Sequence, residues 1–235
     1  MRDAYKEFFD HFEIKFDDII EFGEKDTIYP DPTNIKNYWT NLIESIENNK
    51  EVYIRGYGRD AHGTSLYLEL YRILLKNNNI KKDSTNNAKP TQLLQNITNY
   101  SKTIKEDNGT HRKIINYQVT HIFGRTKNPF LFTAPWNILW KSKILDPFTG
   151  HESKGKNTND YKNAFLKKSK ELYHEYIDEY NILASKYFAL EKLENAFSQM
   201  SANLNVDEKT FKKFNFKVMI ILKFLLTIRK EIKEF

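Results

Sequence analysis

At 235 residues, with 40% hydrophobic and 14% aromatic content, the chain is long enough to bury a sizeable core and is not a disordered tail. Its 37 Lys and Arg against 31 Asp and Glu leave a net charge of +6, a modest excess that points to a polyanionic partner only where it gathers on one surface. Cysteine is absent, which excludes disulfides, thiolate zinc sites and cysteine nucleophiles, and restricts any metal to His, Asp, Glu or Asn, the ligands of a hard divalent ion.

The N-terminal stretch "MRDAYKEFFDHFEIKF" mixes charge through its apolar residues, and the C-terminal run "FKVMIILKFLLTI" is thirteen residues long and carries Lys217 and Lys223. Neither reads as a signal peptide or a membrane span. Tyr5, Phe8, Phe9, Phe12, Phe16, Ile19 and Ile20 follow three- and four-residue steps and predict one amphipathic helix ending at Phe22-Gly23. Ile35, Tyr38, Trp39, Leu42, Ile43 and Ile46 predict a second, with Pro32-Thr33 as its start. "EVYIRGYGRDAHG" reads as a short strand, Val52 to Ile54, opening into a Gly-rich basic loop before a helix over Ser65 to Lys76. Arg55 and Arg59 in that loop suit phosphate clamping or bidentate contact with guanine, and suit equally a strand-to-helix turn with solvated charges.

"NNNIKKDSTNNAK" has no apolar periodicity and is expected to be a mobile loop. A short helix over Pro90 to Tyr100 follows, offering Gln92 and Asn96 among residue types that suit base-edge contacts. Two strands are expected, Ile114 to Ile122 and Asn137 to Trp140. Beyond them, residues 160 to 204 fit one long helix or a helical hairpin, and 208 to 235 a further helix. The fold class is α+β, mostly helical.

Between the two strands lies "YQVTHIFGRTKNPFLFTAPWN", in which a histidine ends a strand and is followed by a basic Gly-containing turn, two prolines and a Trp-Asn pair. A neutral imidazole fixed at a strand end can take a proton from water near pH 7. Hydrolysis of a phosphodiester needs such a base, a divalent cation to neutralise the phosphate, and groups that hold the geometry. Asn137, Asp146 and His151 follow within about thirty residues, and the order is strand, loop, strand, helix.

"VTHIFGRTKNPFLFTAPWNI" followed by "KILDPFTGHESKG" resembles the ββα-metal (HNH, or His-Me finger) nuclease core, in the form carried by type II restriction endonucleases. The resemblance covers about residues 110 to 165 and implies a small ββα-metal core embedded in flanking helices. It implies His121 as the base that activates water and Asn137 as the residue that constrains the loop and orients it. It also implies His151 at the start of the helix as a metal ligand, with Asp146 or Asn137 completing the shell. Thr120 stands where many members carry a ligand, and the wide spacing to His151 makes Asn157, Asn159, Asp160 or Asn163 alternative ligands. The implied organisation is 1–105 as a helical region with the basic loop, 106–170 as the catalytic core and 171–235 as packing or dimerisation helices.

The expected function is site-specific, metal-dependent cleavage of double-stranded DNA by a homodimeric restriction enzyme, with Mg²⁺ as cofactor and Mn²⁺ as its alternative. Arg125 and Lys127 would position the DNA backbone, and Arg55, Arg59, Gln92 and Asn96 are the candidate recognition residues. The location expected is the bacterial cytoplasm, with no membrane partner. Two other functions fit the same residues: a non-catalytic nucleic-acid-binding protein, and a low-specificity defence or toxin nuclease.

Overall fold

The aromatic-rich N-terminus forms two helices, α1 (Ala4–His11) and α2 (Phe16–Asp26), where periodicity predicts one. Glu13 between them has φ 55°, a left-handed conformation that no α-helix accommodates. These elements belong to a computed structural model that describes residues 2–56, 61–107, 109–149, 152–203 and 207–231, with 61, 62, 203 and 220–231 described by backbone alone. Helix α3 (Pro32–Glu47) starts where the sequence places it: the Asp31 carboxylate accepts from the Thr33 amide at 2.8 Å, and Pro32 occupies the first turn. Strand β1 (Val52–Ile54) leads to α4 (Ala61–Leu75), which begins four residues before the expected Ser65.

The stretch expected to be a mobile loop is a built part of the fold. Strand β2 (Ile80–Lys82) lies parallel to β1, Val52 opposite Ile80. Asn77 is wholly buried, its amide donating to the carbonyls of Ile46 (3.1 Å) and Lys50 (3.0 Å). Asp83, also wholly buried, accepts from the amides of Thr85, Ala88 and Lys89 at 2.9, 3.1 and 2.7 Å, and so caps α5 (Ala88–Thr98). Hydrogen bonds hold this segment alongside the buried side chain of Ile80, and hydrophobic periodicity is blind to such bonds.

Two two-residue strands, β3 (Tyr100–Ser101) and β4 (Arg112–Lys113), pair in parallel. Next come β5 (Tyr117–His121), the short helix α6 (Pro129–Phe132) and β6 (Ile138–Ser142). β5 and β6 form an antiparallel hairpin in which His121 faces Ile138 and Tyr117 faces Ser142. Ile28 bridges Trp140 on the outer side of β6, and the Tyr117 hydroxyl donates to Asp26, so the N-terminal region is part of the hairpin's surroundings. A 3-10 helix (Asp146–Thr149) then precedes α7 (Lys156–Tyr187), α8 (Leu190–Asn203) and α9 (Glu208–Glu231).

The long helical pattern is thus two helices, α7 and α8, of which α8 packs on α4, and α7 runs through the expected boundary at 170/171, bending at Tyr173 (φ −125°, ψ 19°). The Tyr173 hydroxyl donates to the Pro30 carbonyl at 2.7 Å. The Trp136 ring meets Trp39 of α3 at 5.5 Å and Tyr180 of α7 at 5.8 Å, so one hydrophobic core ties the hairpin loop to helices from both ends of the chain. The fold is α+β and mostly helical. Among the described residues no helix is long and apolar enough to cross a membrane.

Candidate functional site

Alternation sorts the hairpin into two faces. Val119 and His121 share one with Ile138 and Trp140, while Gln118 and Thr120 share the other with Leu139 and Lys141. Helix α5 covers the first face, where the Trp140 indole donates to Thr98 Oγ1 at 3.1 Å. On the second face, α7 supplies Tyr161 and Phe165 against Lys141, and the 3-10 helix supplies Asp146.

His121 is 7% exposed, and its ring stacks on Phe132 with centroids 5.6 Å apart and planes 11° off parallel. Its Nε2 lies 3.0 Å from the Phe132 carbonyl. A carbonyl only accepts, so Nε2 carries the proton and the lone pair of the neutral ring is on Nδ1. The loop beyond turns through left-handed Gly124 (φ 63°) and Arg125 (φ 54°), and the Gly124 amide donates back to the His121 carbonyl at 3.2 Å. Asn137, wholly buried, closes that loop: Oδ1 accepts from the Phe123 amide at 2.9 Å, while Nδ2 donates to the carbonyls of Leu131 (2.9 Å) and Gly124 (3.3 Å). Asn128 closes its far side, capping α6 through the Phe130 amide at 2.9 Å and donating to the Tyr180 hydroxyl at 2.9 Å.

Asp146 accepts from the Thr120 hydroxyl at 2.5 Å. Thr120 and His121 are consecutive and leave β5 on opposite faces, so this carboxylate and the imidazole sit on opposite sides of the hairpin. Asn159, Asp160 and Asn163 are exposed on the first turns of α7, and Asn157 is half-buried there. His151 and Arg59 lie outside the described residues. Among the described residues no group of three or more His, Asp or Glu converges to hold a metal ion.

Arg55, Gly56 and Thr64 meet Thr126 and Lys127 of the hairpin loop. The Arg55 amide donates to the Thr126 carbonyl at 2.8 Å, and the Lys127 ammonium donates to the Gly56 carbonyl (2.9 Å) and to Thr64 Oγ1 (2.7 Å). Lys127 therefore ties the hairpin loop to Gly56 and Thr64, while the Arg55 side chain is exposed and Arg125 is half-buried. Gln92 and Asn96 are exposed on the outer side of α5.

Sequence reasoning missed Lys141. It is 1% exposed, its ammonium donates to Thr27 Oγ1 at 2.6 Å, and it lies 4.8 Å from the centroids of both Tyr161 and Phe165. Burial pushes its pKa down from 10.5 to about 8, against the opposing pull of Asp26 and Asp146. The signal available was its place in "ILWKS", a charged residue on a strand flanked by apolar ones. Below pH 8 the ammonium is charged in both folded and unfolded chains and the burial penalty is fully present; between pH 8 and 10.5 the folded chain sheds a proton that the unfolded chain keeps. Stability contributed by this group therefore rises with pH through that window, by up to about 3 kcal/mol. Urea unfolding of wild type and Lys141→Met at pH 7, 8, 9 and 10 checks this, because the wild type should gain on the variant as pH rises. A constant difference would mean that Asp26 and Asp146 keep the ammonium charged.

Fold and site together define an α+β protein built on an antiparallel hairpin between helices, with a histidine held at the end of the first strand by a loop that an asparagine closes. The chain belongs to the family described as "Uncharacterised protein PM1201", whose model matches residues 30–225. It is 40% identical over 194 residues to the curated protein "Uncharacterized protein PM1201" of Pasteurella multocida (strain Pm70), an alignment covering 82% of this chain and 84% of that relative. No solved structure matches the chain.

Proposed function

We propose that this protein is a site-specific endonuclease of the ββα-metal type that hydrolyses phosphodiester bonds in double-stranded DNA as a homodimeric restriction enzyme. The observation that carries the reading is the strand, loop, strand, helix order with His121 at the end of the first strand, its Nε2–H given to the Phe132 carbonyl. That bond fixes the proton of a neutral imidazole on Nε2, so Nδ1 is the nitrogen that would accept a proton from water. Asn137 orients the base by clamping the loop that supplies its carbonyl partner. Arg55 and Arg125 lie on adjoining stretches and would meet the phosphate backbone.

A divalent ion such as Mg²⁺ would supply charge neutralisation at the phosphate when bound. The described donors do not fit one as they stand: Asp146 is engaged by Thr120 on the opposite face, and the Asn137 amide is committed to three backbone groups.

The test is incubation of the purified protein with a long unmodified DNA in Mg²⁺, in Mn²⁺ and in EDTA. Discrete fragments in either metal, and none in EDTA, are the expected result. A metal-dependent smear would keep the nuclease and discard site specificity. Intact DNA in all three arms would discard the nuclease. One observation favours a second reading, a non-catalytic nucleic-acid-binding protein: His121 is only 7% exposed and packs like a structural residue. That reading predicts salt-sensitive DNA binding indifferent to divalent ions.

A further inference from the structure

The charge of the chain is unevenly spread. Residues 76 to 113 hold eight Lys and Arg against three Asp and Glu, a net +5, leaving +1 for the other 197 residues. One of the three acids, Asp83, is wholly buried with its carboxylate taken by backbone amides, and residues 84 to 105 contain no Asp or Glu. Helix α5 stands in the middle of this segment. Its inner side, Pro90, Leu94 and Ile97, is buried, and α5 packs on the hairpin face that carries His121. Its outer side presents Lys89, Gln92, Asn96 and Asn99 at steps of three, four and three, one helical face, with Gln92, Asn96 and Asn99 exposed. Gln and Asn carboxamides match the N6 and N7 edge of adenine bidentately, and the major groove admits a helix of this width.

We propose that α5 is the element that reads sequence, lying in the major groove of duplex DNA with Gln92 and Asn96 on base edges, adenine above all, and Lys102, Lys105 and Arg112 on the flanking phosphates. The inference rests on duplex DNA being the substrate, but not on any step of its cleavage. All five side chains are exposed, and of them Lys102 alone meets a core residue, its ammonium lying 5.8 Å from the Trp140 ring centroid, a contact of small energy at an exposed cation. The A-form RNA duplex is excluded as the partner by its deep, narrow major groove.

The experiment is selection from a pool of duplexes with a randomised centre, in EDTA, with sequencing of the bound fraction. The wild type should enrich a short motif containing adenine. Gln92→Ala and Asn96→Ala should each relax preference at one or two positions, by roughly ten- to a hundredfold. Lys102→Gln/Lys105→Gln/Arg112→Gln should weaken binding to every duplex alike and lower the slope of log affinity against log salt by about 3. Thermal melts of all variants should match the wild type. The same motif enriched by wild type and both alanine variants would overturn the proposal, as would a wild type that binds no duplex or that prefers single-stranded RNA. Motif selection intact while DNA stays uncut in every metal would sink the nuclease alone, whereas unchanged cleavage positions in Gln92→Ala/Asn96→Ala would sink the role of α5 alone.

Discussion

His121→Ala is expected to cut duplex DNA about 10²- to 10⁴-fold more slowly than the wild type, the contribution of a positioned general base. Binding of the same duplex in EDTA should stay within about twofold, because the imidazole is too buried to contribute surface to a DNA complex. The comparison is single-turnover cleavage at a temperature where circular dichroism shows the variant folded, since loss of a buried ring stacked on Phe132 also costs stability. Cleavage by a folded His121→Ala within tenfold of wild type would remove His121 from the chemistry. The other fold-supporting partner in this part of the hairpin, the Phe132 carbonyl, is a backbone group and cannot be replaced by mutation, so the imidazole is the place to probe.

Asn137→Ala is expected to lower the unfolding free energy by about 3 to 5 kcal/mol. The reason is its valence. One carboxamide serves the Phe123 amide, the Leu131 carbonyl and the Gly124 carbonyl, and alanine leaves those groups without their partner around a closed loop. Asn137→Asp should be no better: a carboxylate still accepts from Phe123 but turns an oxygen toward two carbonyl oxygens, and Asn137 is wholly buried. Denaturant unfolding reads both, through a lower midpoint at unchanged slope. A cost under about 1 kcal/mol for the alanine variant would mean that the loop is held by its packing, chiefly Trp136 between Trp39 and Tyr180. Because the loop carries the carbonyl that fixes the His121 tautomer, Asn137→Ala should also slow cleavage at temperatures where it remains folded.

Much of the hairpin was legible in the chain. The alternation through Val119 and His121 marks a strand, and Pro129 and Pro135 keep that strand from running on through "NPFLFTAPWN", where Pro129 instead opens the four-residue helix α6. Asp31-Pro32 marks the start of α3 because an N-cap and a first-turn proline act within three residues of each other. The split between α1 and α2 was not legible, because Phe12 and Phe16 keep helical spacing across a break made by the backbone at Glu13. Strand β2 was not legible either: three residues carry no periodicity of their own, and what makes them a strand is β1, 28 residues earlier in register.

The roles of polar residues divide in the same way. Which side chains could act as base, clamp or cation, and where helices and strands with a local repeat begin, follow from the chain alone, because spacing and capping act over a few residues. Which of these groups meet follows from the packing of distant segments. It put Asp146 on Thr120 and away from His121, turned the Asn137 amide toward three backbone groups, tied Lys127 to Gly56 and Thr64, and buried Lys141 between two aromatic rings. Those outcomes depend on which faces of the hairpin α5 and α7 cover, and packing between segments many tens of residues apart leaves no periodic trace in either of them.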